Sequence, residues 1–149
     1  MKQLFYNWRT FLKESYVKYS GILKLKPPAN ILAELEVLQA QLPEDAVRLD
    51  VEDLHLTLIH QSILNPYKKQ IKKMDFPQPP DIVLGDKIYE KTTPEKKSWA
   101  VDLVNQDEMR NYVKQVMETL GSDNLNPEPE RVFHISLANL TGNPHDSVR

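Results

Sequence analysis

The chain has no cysteine, only four glycines and almost no net charge. Each shortage excludes something. Without cysteine there is no disulfide framework and no thiolate metal site, which suits a reducing compartment. The apolar runs are far too short to span a bilayer, and Arg9, Lys13 and Glu14 interrupt what would have to be a signal-peptide apolar segment. A formal net charge of −2 gives no global electrostatic reason to hold long DNA or RNA. These features predict a cytoplasmic protein with neither a membrane nor a long duplex nucleic acid as partner, still able to grip a small anion through local groups. What is present is 149 residues, 40% hydrophobic, enough for one domain (1–149) with a sizeable core.

The most informative feature is a pattern stated twice, in Leu54-His55-Leu56-Thr57-Leu58 and in Phe133-His134-Ile135-Ser136-Leu137. Each reads apolar, His, apolar, hydroxyl, apolar. In an extended strand alternate side chains share a face, so imidazole and hydroxyl project together while the apolar residues line the other side. All four histidines have Ser or Thr two positions later (His55–Thr57, His60–Ser62, His134–Ser136, His145–Ser147), so the bare spacing is weak. The flanks separate the pairs. His55 and His134 sit inside strictly alternating apolar runs, whereas His60 is followed by Gln61 and His145 by Asp146. His60 also has the opposite parity to His55, which in an unbroken strand turns it toward the Leu54 side.

Helical and extended patterns alternate along the chain. Leu4, Phe5, Trp8, Phe11, Leu12 and Tyr16 predict an amphipathic helix over about 2–16 packed on the core. Tyr19 to Leu25 reads as a strand stopped by Pro27 and Pro28. Asn30 then caps a helix carrying Ile31, Leu32, Leu35, Leu38 and Leu42, closed by Pro43. Lys68, Lys69, Lys72 and Lys73 read as the solvated face of a short helix, and Pro77, Pro79 and Pro80 as a connection between two halves. Ile82–Tyr89 and Trp99–Val104 follow as a strand pair. A helix from a capping box at Asn105 and Glu108 then runs to a C-cap at Gly121. The order predicts an α+β fold with antiparallel strands. Its two sheet lobes, about 17–64 and 81–140, pack helices outside and place both His strands along a central cleft.

Two imidazoles and two hydroxyls offered to one ligand supply an acid, a base and hydrogen-bond donors, the outfit for cleaving a phosphodiester without metal. Near neutrality one imidazole can be neutral and its partner protonated. The first takes the nucleophile's proton and the second protonates the leaving oxygen. Thr57 and Ser136 would stabilise charge on the non-bridging oxygens. Nothing in the pattern says which histidine is the base, or whether water or a ribose 2′-OH attacks. No HExxH, paired cysteine or clustered Asp/His motif accompanies the histidines, so neither a metal nor another cofactor is expected. Tyr19 and Trp99 are candidate nucleobase-stacking residues, with core packing as the plainer role for each. Arg131, three residues before His134, is a candidate phosphate contact or a solvated surface residue. The turn at Thr141–Pro144 leaves His145 and Asp146 as either a lid or a frayed tail.

HLTL at 55–58 and HISL at 134–137 resemble the paired H-x-[ST]-x signatures of the 2H phosphoesterase superfamily, and the element order and chain length are similar across nearly the whole sequence. The resemblance implies a bilobal α+β enzyme acting without metal on 2′,3′-cyclic phosphates, RNA ends or small nucleotides. The YVKYSGILKL start and the HISLANLTGNPHDSVR end look like phage anti-CBASS phosphodiesterases, the branch that degrades cyclic oligonucleotide signals; host cytoplasm would then be the compartment. The expected substrate is a small cyclic oligonucleotide, with a cyclic-phosphate nucleotide or RNA end as the alternative. From another class comes a nucleotide-binding module that keeps the cleft and does not hydrolyse.

Overall fold

The computed structural model describes residues 15–149. The N-terminal helix expected over about 2–16 therefore lies outside the described residues, save its last two; Tyr16 already begins the first strand. Strands β1 (Tyr16–Ser20) and β2 (Ile22–Lys26) are followed by helix α1 (Ala29–Gln39), then β3 (Val47–Arg48) and β4 (Leu56–Ile59). Two short helices, α2 (Gln61–Leu64) and α3 (Lys68–Lys72), lead through the proline-rich connection to β5 (Leu84–Thr92) and β6 (Lys97–Leu103). Helix α4 (Gln106–Thr119) and strand β7 (His134–Asn139) follow. All strand pairs are antiparallel and form one seven-stranded sheet in the order β1-β2-β4-β7-β6-β5, with β3 also paired to β7. The fold is mixed α+β, as the alternation of patterns predicts.

Several local expectations are corrected. The single strand expected over Tyr19–Leu25 is a hairpin, because Gly21 adopts φ 91° and reverses the chain between Ser20 and Ile22. Only glycine takes that conformation without a Cβ penalty. Asn30 is not the cap of α1: Pro28 holds that position in extended conformation, and Asn30 lies inside the first turn. Asn105 flanks α4 without capping it. Its side chain instead donates to the Asp81 carbonyl (2.7 Å) and accepts from Val83 N–H (3.3 Å), tying the helix entry to the start of β5. The C-cap does form as expected: Gly121 has φ 77°, and Gly121 and Ser122 N–H groups donate to Glu118 and Met117 carbonyls.

One face of the sheet is apolar. Leu23, Leu25, Leu54, Leu56, Leu58, Val101, Leu103, Ile135 and Leu137 are buried in one core with Ile31 and Leu35 of α1 and Met109, Tyr112, Val113, Val116 and Met117 of α4. With the core on that side, alternation leaves the polar residues of β2, β4, β7 and β6 on the other.

The two halves of the sheet meet at a narrow seam. Strands β4 and β7 share one registered pair, Leu56 with Ile135. Side chains take over where the backbones diverge. On one side Arg131 donates to the carbonyls of Thr57 and Leu58, the latter at 2.9 Å. Gln39, 4% exposed, donates to the carbonyls of Leu49 (3.1 Å) and Leu137 (2.9 Å). These side chains add donors to backbone carbonyls along the seam, where buried polar groups need partners. Gln106 likewise bonds both the N–H and the carbonyl of Phe133, fixing the residue that precedes His134.

Candidate active site

Continuing the Leu56–Ile135 register by one residue each way sets His55 opposite Ser136 and Thr57 opposite His134. Leu56 and Ile135 point into the core with no exposed surface. Their four neighbours therefore share the polar face, each histidine beside the other motif's hydroxyl. His55 and His134 stand diagonally across the seam, each one residue before its member of the Leu56–Ile135 pair. A local two-fold through the Leu56–Ile135 pair relates the two motifs. Register thus sets the two motifs on neighbouring strands with their polar residues on one face of the sheet.

Each imidazole is oriented by its own backbone. His55 Nδ1 lies 2.7 Å from the Asp53 carbonyl, and His134 Nδ1 lies 3.2 Å from the Val132 carbonyl, the same two-residue backward contact in both. A carbonyl only accepts, so the proton sits on Nδ1 and Nε2 is left to work on a ligand. Burial lowers the pKa of both. For His55 the Lys24 and Lys26 ammoniums add to that effect, against the Asp53 carbonyl. His134 is pushed down to about 4 by burial and then by Lys91, with Arg131 adding to the push and the Val132 carbonyl and Asp102 opposing it. Both rings are neutral at pH 7 when the site is empty.

The surroundings hold residues that sequence reasoning missed. Lys24 is registered opposite Thr57, and Lys18 opposite Lys24. Asp102 is registered opposite His134, and Tyr89 donates a 2.6 Å hydrogen bond to its Oδ1. Burial and then Asp102 raise the Tyr89 pKa, keeping the phenol protonated. Lys91 donates to the Arg149 oxygen at 2.9 Å. The signal was available: lysines at 24 and 26, and at 87 and 91, keep one strand parity. A whole-chain charge of −2 averages that local surplus away.

Other expectations are corrected. Tyr19 is registered with Leu23 and packs against the core, on the face opposite the histidines. Trp99 is 2% exposed with Lys97 Nζ 4.9 Å above its ring, so neither aromatic offers a stacking platform beside the histidines. Arg131 is no solvated surface residue: its side chain is 11% exposed, engaged by Glu128 (3.3 Å) and by the β4 carbonyls, and stacked 5.2 Å from the Phe133 ring. It positions the seam. A register shift gives β4 an extra residue, which puts Leu58 and Ile59 both on the buried side; the parity reading of His60 assumed an unbroken strand. His60 is held by Glu128 at 2.8 Å. The C-terminal segment is not frayed. Buried Asn139 accepts from Thr141 and Gly142 N–H and donates to the Asn143 carbonyl and Ser147 Oγ, while Val148 N–H donates to Ser98 Oγ. His145 presents its carbonyl to Lys96.

A concavity of about 340 Å³ lined by Glu95, Lys96, Lys97, Leu140, Thr141 and Asp146 does not include His55 or His134. Among the described residues no group of three or more His, Asp or Glu converges as metal ligands, and no helix is long and apolar enough to cross a membrane. Comparison with protein families, with curated proteins and with solved structures finds no match.

Proposed function

We propose that the protein is a metal-independent phosphodiesterase of the 2H type, acting on 3′–5′ phosphodiester bonds of small cyclic oligonucleotide signals, as a phage anti-defence enzyme does in the host cytoplasm. The observation that carries the reading is the pair of Nδ1-anchored imidazoles, each facing the other motif's hydroxyl across one strand seam. In this reading the half-sheets β1-β2-β4 and β7-β6-β5 are the two lobes, and the seam is the floor of the cleft.

The resting pair is neutral, and catalysis needs one proton on it. An anionic phosphodiester supplies the reason to take one up, since a negative charge close to an imidazole favours its protonated form. His134, the more strongly depressed, stays neutral and is the base; His55 becomes the acid. His134 Nε2 takes the proton of the attacking water or ribose hydroxyl as its oxygen bonds to phosphorus. His55 Nε2–H then protonates the departing oxygen as the P–O bond breaks. Thr57 and Ser136 hydroxyls donate to the non-bridging oxygens as charge grows there. A module that only binds nucleotides has no use for two free Nε2 atoms of fixed tautomer.

A panel of cyclic di- and trinucleotides and nucleoside 2′,3′-cyclic phosphates, incubated with the protein in excess EDTA and followed by chromatography, tests this reading. Product formation that survives the chelator is the expected result. Activity lost to EDTA and restored by zinc or manganese would sink the mechanism. Tight binding without product would favour the binding module, and a clear preference for the 2′,3′-cyclic phosphate would move the substrate class while leaving the two-histidine chemistry standing.

A further inference from the structure

On the polar face Lys18 is registered with Lys24, Lys24 with Thr57, and His134 with Asp102; extending the single Leu56–Ile135 pair by one residue joins the two sets into one row over β1-β2-β4-β7-β6. Neighbouring strands are spaced about 4.8 Å apart. Lys24 therefore stands one strand from the seam and Lys18 two, while a carboxylate stands at the other end. Two lysines directly opposite each other in a ladder repel and destabilise the pairing. Among the described residues neither has a carboxylate within ion-pair distance. Lys26, their neighbour, differs: its ammonium donates to the carbonyls of Glu52 and Leu54. Lys18 and Lys24 thus form a pair of adjacent cations on the β1 flank, at the distance a neighbouring phosphate reaches when the scissile one lies over the seam; on the other flank the single Lys91 donates to the Arg149 oxygen and stands near Asp102.

We infer that Lys18 and Lys24 form a subsite for a second phosphate of the same ligand, one nucleotide away from the phosphate being cleaved. The inference rests on the phosphodiesterase reading of the seam and sharpens its substrate class. A cyclic oligonucleotide always presents a second phosphate. A nucleoside 2′,3′-cyclic phosphate presents none. The acidic end of the row, where Asp102 accepts from Tyr89, repels phosphate and makes the site directional. Substrate is therefore laid across the strands, with its additional phosphate toward β1.

The test uses ligands differing by one phosphate: the dinucleotide ApA, and the same molecule phosphorylated at its 5′ or its 3′ end. Affinities are measured by calorimetry on the His55→Ala/His134→Ala protein, so that cleavage plays no part, with and without Lys18→Gln and Lys24→Gln. One phosphorylated form should bind more tightly than ApA. That gain should fall roughly tenfold on removing both lysines, the scale of two partly exposed ion pairs. Lys68→Gln with Lys69→Gln, on α3, controls for general charge and should leave the gain intact. Equal affinity for all three ligands, a gain that persists without Lys18 and Lys24, or the same loss from the α3 control would overturn the subsite. Failure of the wild-type protein to cleave any ligand would count against the phosphodiesterase reading alone.

Discussion

The β4 and β7 motifs are near copies in sequence, register and backbone contact, yet they sit in different electrostatic surroundings. His55 is approached by Lys24 and Lys26 from β2 and by Asp53 from its own chain. His134 is approached by Lys91 and Arg131, with Asp102 registered directly opposite. A local two-fold builds two equivalent imidazoles, and the flanking strands then make them unequal. The lesson is that duplication of a motif supplies the pair, while the charged residues around each copy set the two imidazoles apart.

The strongest way to break this comparison is to remove each histidine in turn. His55→Ala and His134→Ala should each lower kcat on the natural diester by about two to four orders of magnitude, and the double variant should lose far less than the product of the single losses. A p-nitrophenyl diester separates the two, because its leaving group departs without a proton. On that substrate His55→Ala should lose no more than about tenfold, the acid step being dispensable, while His134→Ala keeps its full loss. The reverse pattern would exchange the roles. Equal damage from His60→Ala or His145→Ala would mean that the wrong pair has been chosen.

A smaller effect comes from the residue that joins the motifs. Arg131→Met removes the Arg131 hydrogen bonds to the carbonyls of Thr57 and Leu58 and to Glu128 Oε2. Denaturant unfolding should show a loss of about 2–3 kcal/mol, the cost of stranding polar groups that are largely buried. An unchanged midpoint would show that the seam does not depend on this side chain.

The smallest effect is a shift along the pH axis. Both histidine pKa values are lowered, so at pH 7 the free enzyme holds its pair mostly unprotonated. Lowering the pH first adds the one proton that the acid needs, and only later protonates the base. The kcat/KM profile should therefore peak below the ordinary histidine pKa of about 6.5. Lys91→Gln removes a charge that holds His134 down. Its profile should move toward higher pH, and a shift toward lower pH would contradict the assignment.

Alternation made the polar face of β4 and β7 legible in the sequence, since strand period two is a local property of the chain. Helix α4 was legible for the same reason, its apolar residues keeping helical period from Met109 to Met117. What escaped depends on partners distant in sequence. Arg131 reads as a surface residue until β4 brings two backbone carbonyls to it. For Trp99 the pattern leaves packing and base stacking both open, with packing the plainer role, and burial in the fold decides for packing. The Lys18–Lys24 pair exists only because Gly21 folds β1 back on β2, a turn the apolar pattern of Tyr19–Leu25 conceals.

The single registered pair at the seam also fixes how this site can tolerate changes in chain length. Deleting one residue between the β4 bulge and the Asp53 turn would carry His55 to the core side and bring a leucine to the ligand, because strand parity changes with every residue lost. Losing two restores parity but moves the imidazole by one hydroxyl position, away from Ser136. Side chains around the histidines can drift as substrates change; the count of residues through Leu56 and Ile135 cannot. In this region the loss or gain of one residue re-aims the whole polar face, whereas a substitution alters one side chain.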